Sequence, residues 1–119
     1  MSIRLAVVAA AICGLAFGGL ALASTPTKLA GQVGPGFTIS LKDSKGQKVK
    51  TLKPGSYVFA VKDKSDIHNF TLKGPGVGNK ELTGTGFTGS KTSSAIRLKA
   101  GSYKVYCSVH GFSQSFTVK

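Results

Sequence analysis

The chain has no tryptophan, one methionine, two cysteines and only four carboxylates in 119 residues. Each scarcity excludes something. Asp43, Asp63, Asp66 and Glu81 are the whole supply of acids. Asp63 and Asp66 fall in "KDKSD", a charged turn that reads as solvated loop, so no acid and base pair for hydrolytic chemistry emerges and no enzyme is expected. Cys13 lies in an apolar N-terminal run, which leaves Cys107 without an intramolecular disulfide partner in the remainder. The methionine is Met1, so no thioether is available from the body of the chain. No stretch after residue 30 shows a helical period, which excludes a helical bundle.

The N-terminal run reads as an export signal. Arg4 precedes uncharged apolar residues from Leu5 to Leu22, and Ala21-Leu22-Ala23 offers the small-x-small pattern of signal-peptide cleavage. Residues 1–23 are therefore expected to be a signal peptide, Cys13 to leave with it, and the product to be periplasmic or extracellular. The 96 residues that follow suit one small domain. A small exported domain is commonly stapled by disulfides, so a single thiol calls for another explanation.

What the chain has in excess is positive charge. Its formal net charge is +12, and losing Arg4 with the leader lowers that by one. Such a field favours encounter with an acidic protein or an anionic membrane surface and weakens as salt screens it. Nucleic acid is not expected, because the lysines are scattered rather than gathered on one element or interleaved with aromatics. A monomer is the default.

Short runs of β-branched and aromatic residues alternate with polar ones between Gly, Pro, Asn and Asp, the pattern of half-buried strands. Candidate strands cover 37–41, 48–52, 56–61, 68–72, 92–98, 102–107 and 115–118, which predicts an all-β Greek-key sandwich. Residues 24–36 read as a flexible approach, 37–119 as the folded domain, and 74–89, rich in Gly and Thr, as a long loop with at most a short strand. "LKPGSY" at 52–57 and "LKAGSY" at 98–103 are the same turn used twice, each delivering a tyrosine into the next strand.

Cys107 stands three residues before His110, and the chain's other histidine is His68. His68 heads a strand after a polar turn, Cys107 ends a strand, and His110 follows in the connecting loop, so two imidazoles and one thiolate can converge. A trigonal set of two nitrogens and one thiolate with a weak axial group suits electron-transfer copper, whereas zinc more often takes four strong ligands. A buried thiol with two ordinary histidines is the plainer alternative.

The surrounding segments make the likeness more specific. "KPGSYVF" at 53–59, "HNF" at 68–70, "LKGPGVGNK" at 72–80, "LKAGSYKVYC" at 98–107 and "CSVH" at 107–110 resemble the cupredoxins, exported plastocyanin-like blue-copper domains, over about residues 37–118. The resemblance implies one type 1 copper ion held by His68, Cys107 and His110, and single-electron transfer between redox partners with acidic surfaces. It also implies apolar residues around His110, here Gly111, Phe112 and Pro75, and a hydrogen-bonded tie from Asn69, behind the ligands, to the Cys107 loop. The family's axial methionine has no counterpart. Aligned from the final strand, with Phe116 and Val118 inward, its place falls on Phe112, a cap that does not bind metal. With a small shift, Gln114 or Ser113 faces the site, Gln114 as an amide-oxygen ligand. Strand alternation favours Phe112, since a one-residue slip inverts every side chain. Two other roles stay open: a periplasmic copper carrier or sink, and an interaction domain with a degenerate metal site.

Overall fold

The computed structural model describes residues 25–119. The signal peptide expected over residues 1–23 lies outside the described residues. Ten strands follow one another: β1 (Thr27–Val33), β2 (Ile39–Lys42), β3 (Thr51–Leu52), β4 (Gly55–Asp63), β5 (Phe70–Gly74), β6 (Gly78–Thr83), β7 (Gly89–Thr92), β8 (Ile96–Leu98), β9 (Gly101–Tyr106) and β10 (Ser113–Val118). No helix occurs among the described residues. One sheet runs β3-β10-β9-β5-β6, and the other runs β2-β1-β4-β7 with β8 also pairing β4. The chain changes sheet at β2–β3, β3–β4, β4–β5, β6–β7 and β8–β9. The result is the expected all-β Greek-key sandwich.

Alternation explains which residues meet between the sheets. Along β4, Tyr57, Phe59 and Val61 are buried while Val58 and Ala60 are only partly covered. Along β9 and β10, Tyr103, Val105, Phe116 and Val118 face inward. Leu29, Val33, Leu41, Val49, Phe70, Leu72, Ile96 and Leu98 complete the core. Burying a large apolar side chain contributes about 1.5–3 kcal/mol, so this layer is the principal force holding the sheets together.

Two expectations are corrected here, and a third is made definite. The flexible approach over 24–36 is in fact largely β1, which runs parallel to β4 from Thr27↔Tyr57 to Val33↔Asp63 and antiparallel to β2. The reason is that Leu29 and Val33, two turns of the pleat apart, are fully buried. The folded unit therefore begins well before residue 37. The 74–89 segment, read as a long loop with at most a short strand, holds the six-residue β6, which pairs β5 through a tight turn from Gly74 to Gly78. Asp63 is not solvated: it is 2% exposed at the inward end of β4, and its Oδ1 accepts the Ser65 N–H at 3.0 Å.

Candidate metal centre

Three connections meet at one end of the sandwich. His68 lies on the segment between β4 and β5, two residues before the buried Phe70 that starts β5. Cys107 follows β9 directly and continues the inward series Tyr103, Val105, Cys107. His110 lies on the short loop to β10. Backbone bonds close that loop on itself: Gly111 N–H donates to the Cys107 carbonyl at 2.7 Å and Cys107 N–H to the Phe112 carbonyl at 3.1 Å. Gly111 has φ 82°, a left-handed conformation that a side chain would strain, and it turns His110 back over Cys107.

The three side chains therefore converge, as the sequence suggested. Cys107 Sγ is 3.8 Å from Nδ1 of His68 and 3.8 Å from Nδ1 of His110, and the two Nδ1 atoms are 2.9 Å apart. Metal bonds of about 2.0 Å to nitrogen and about 2.3 Å to sulfur allow an N–N separation up to about 4 Å and an N–S separation up to about 4.3 Å. The observed distances lie inside both limits, so one ion can reach all three atoms. Among the described residues these side chains form a group able to hold a metal. The thiol and His68 are buried, while His110 is exposed. Nε2 of His68 is buried without a hydrogen-bond partner.

Aromatic rings wall the group. Phe112 sets its ring 4.9 Å from that of His68, edge to face, and 6.5 Å from that of His110, nearly parallel. Phe37, from the β1–β2 connection, stands 4.9 Å from His68, 5.0 Å from His110 and 5.8 Å from Phe112. Sequence reading took Phe37 for the start of a strand and missed it here. The signal was the Gly-Pro-Gly that precedes it, a turn sequence that places the ring on a loop.

Gln114 is inward, as its register with Phe116 and Val118 requires, but its amide is committed elsewhere. Its oxygen accepts the Leu41 N–H at 3.1 Å, and its nitrogen donates to the carbonyls of Leu41 at 3.0 Å and Val49 at 3.2 Å. It joins β10 to the other sheet's edge, which leaves Phe112 as the residue facing the histidines. Ser113 is exposed. Asn69 does tie the His68 segment to the Cys107 loop: its Oδ1 accepts the Ser108 N–H at 2.8 Å and its Nδ2 donates to Ser108 Oγ at 2.7 Å. Pro75 is not near His110. Its carbonyl lies 3.0 Å from the Tyr103 hydroxyl and its ring packs against Gly101, at the start of β9, the end of the strand opposite Cys107. Ile67 and Val109, beside the two histidines in sequence, join Phe37 as apolar side chains exposed there.

No protein-family model and no curated protein matches the chain. Its structure is similar to that of rusticyanin. Rusticyanin from Thiobacillus ferrooxidans aligns with a TM-score of 0.48 at 20% identity, over 82% of this chain and 79% of that one. A methionine-to-glutamine mutant of rusticyanin aligns with a TM-score of 0.49 at 20% identity, over 82% of this chain and 80% of that one.

Proposed function

We propose that the protein is an exported cupredoxin that carries single electrons, with one copper ion held by His68, Cys107 and His110. The observation that carries this reading is the convergence of the three donor atoms, with sulfur 3.8 Å from each nitrogen and the nitrogens 2.9 Å apart. The donor set supports copper over zinc, because two imidazoles and a thiolate with no fourth strong ligand match the electron-transfer pattern. A bound copper ion would supply a one-electron couple and, through the thiolate, an intense visible colour.

The residues around it divide the work. Buried His68 and Cys107 adjoin β5 and β9, neighbouring strands of one sheet, and the self-closed 107–112 loop fixes His110, so the donor atoms keep one arrangement. Phe112 and Phe37 wall the histidine rings and help keep water from buried His68. His110, exposed, offers the edge through which an electron leaves. Phe37, Ile67 and Val109 are 63%, 54% and 57% exposed and flank the ligands, an apolar rim of the kind that marks a contact surface. With a strongly basic exterior, that rim suits redox partners carrying an acidic border, met fastest at low salt. An anionic membrane surface answers the same field.

The test is a copper(II) titration of the purified protein followed by visible absorption and EPR. An intense band saturating at one copper per chain, with narrow copper hyperfine splitting, is expected, and Cys107→Ala removes it. A protein that binds no copper, or stays blue without Cys107, overturns the reading. Reversible one-electron cycling with the metal retained separates electron carriage from copper carriage, in which a chelator strips the metal rapidly.

A further inference from the structure

Glu81 sits on β6, outside the connections that bring the ligands together, and it opposes Thr71 across the β5–β6 ladder. In a chain rich in lysine, its carboxylate is directed at an amide: Asn69 Nδ2 donates to Glu81 Oε2 at 2.9 Å. The Asn69 side chain is buried, 3% exposed. It reaches four partners, donating to Glu81 and to Ser108 Oγ, and accepting from the Ser108 N–H and, at 3.4 Å, from Thr71 Oγ1. That saturates an asparagine amide.

The four partners differ in what they demand. The hydroxyls of Ser108 and Thr71 can donate or accept, so they are content with either orientation of the amide. The other two cannot switch. An ionised carboxylate only accepts, and a peptide N–H only donates. Glu81 therefore compels the nitrogen end of Asn69 to face β6, which sends the oxygen end to the peptide nitrogen of Ser108, the residue bonded to Cys107. A charge-assisted bond is about twice as strong as a neutral one, and polarising the amide strengthens the bond at its far end.

We propose that Glu81 is a positioning residue for the Cys107 loop: acting through Asn69, its negative charge orients the amide that anchors the Cys107–Ser108 peptide and with it the Cys107 sulfur. The anchoring is a property of the metal-free chain; the effect on a copper-bound thiolate rests on the function proposed above.

The test is a double-variant cycle on the full protein. Glu81→Gln keeps the shape and removes the charge. Asn69→Asp sets two carboxylates 2.9 Å apart, like charge against like. Combining them restores complementary polarity with the charge exchanged, because the new amide at 81 donates to one oxygen of the new carboxylate while the other still accepts from Ser108. The readout in metal-free protein is hydrogen exchange of the Ser108 amide by NMR. Exchange about tenfold faster is expected in E81Q, faster still in N69D, and a return towards the parent rate in the double variant. In copper-loaded protein, the thiolate absorption band shifts in E81Q and returns in the double variant. An unchanged Ser108 amide in E81Q, or a double variant as fast as the sum of its parts, overturns the proposal. So does a copper band that fails to move in E81Q while Ser108 exchange does. A protein that takes up no copper refutes the electron-carrier reading, and the exchange measurements still decide this one.

Discussion

The two ends of the sandwich are built to opposite rules. At the end where β4 and β9 begin, the repeated corner closes each strand with a tyrosine. The Tyr57 hydroxyl donates to the carbonyl of Lys53, and the Tyr103 hydroxyl lies 2.8 Å from the carbonyl of Lys99, each four residues back. Tyr103 also accepts the Lys99 N–H at 3.1 Å, reaches the Pro75 carbonyl, and stacks on Phe116 with ring centroids 5.5 Å apart. At the other end, where β4 and β9 finish, buried polar atoms lack partners: Asp63 Oδ2, His68 Nε2 and Thr83 Oγ1. The exposed rings and aliphatics of Phe37, Ile67 and Val109 are there too. A fold that satisfies its polar groups at one end and leaves these three atoms open at the other separates stability from binding, since each orphan costs folding free energy that only a ligand or solvent can return.

The comparison is broken most severely at the closed end. An added Cβ at Gly74 would run into the ring of Tyr103, and the ring, pinned by its hydroxyl and by Phe116, has nowhere to go. Gly74→Ala should destabilise by about 3 kcal/mol or more, read as a fall in the urea midpoint, while the folded fraction still takes up one copper. Cys107→Ala is the mirror experiment: if copper is held as proposed, metal binding is abolished and stability changes by about 1 kcal/mol. If Gly74→Ala lost copper while still folded, the two ends would not be independent.

The two corners then sharpen the rule within the closed end. Tyr103→Phe removes the acceptor of the Lys99 N–H as well as a donor to carbonyls, and is expected to cost about 2 kcal/mol. Tyr57→Phe removes one donor only and should cost about 1 kcal/mol. Denaturation curves of the two variants decide the matter, and equal losses would show that the extra contacts of Tyr103 contribute nothing.

The closed end was the more legible in sequence, because a repeated "GSY" turn is local and needs no partner to be recognised. The convergence of the three donor side chains was legible for the same reason: Cys107 and His110 share one loop, and His68 was the remaining imidazole. What sequence could not reach was set by distance along the chain. Whether Phe112 or Gln114 faces the histidines turned on where the Gln114 amide finds its partners, and those are backbone groups of Leu41 and Val49, more than sixty residues away. Strand β1 was hidden because Gly31 and Gln32 blur its alternation, and only the parallel pairing with β4 explains why Leu29 and Val33 are buried. Phe37 reaches the site from the β1–β2 connection and Glu81 through the β5–β6 pairing, neither of which a local sequence pattern announces.

At the open end, Phe112 offers a test with little effect on stability. Its ring lies 4.9 Å from that of His68, where it shields the histidines without offering a donor atom. Phe112→Met is close to volume-conserving and should shift stability by under about 1.5 kcal/mol. If copper is held as proposed, the added thioether stabilises the oxidised ion more than the reduced one, so the reduction potential falls. Voltammetry of the two proteins reads this directly, and an unchanged potential would remove Phe112 from its place over the metal.

The smallest expected effect comes from the closed end in alkali. Burial of the Tyr57 phenol disfavours its charged form and raises its pKa above the ordinary 10.0. The unfolded chain therefore releases this proton first as pH rises. Stability from the neutral phenol is complete below about pH 10 and is lost as pH climbs from there through the raised folded value. The loss can be no steeper than about 1.4 kcal/mol per pH unit. Comparing the urea midpoints of the parent and Tyr57→Phe at pH 8 and pH 11 isolates this group, since the other titrating side chains are common to both. The gap between the two proteins should narrow in alkali, because the parent alone carries the phenol. A gap that stays constant would mean that the Tyr57 corner is open to water when the chain is folded, and the contrast between the two ends would then rest on Tyr103 alone.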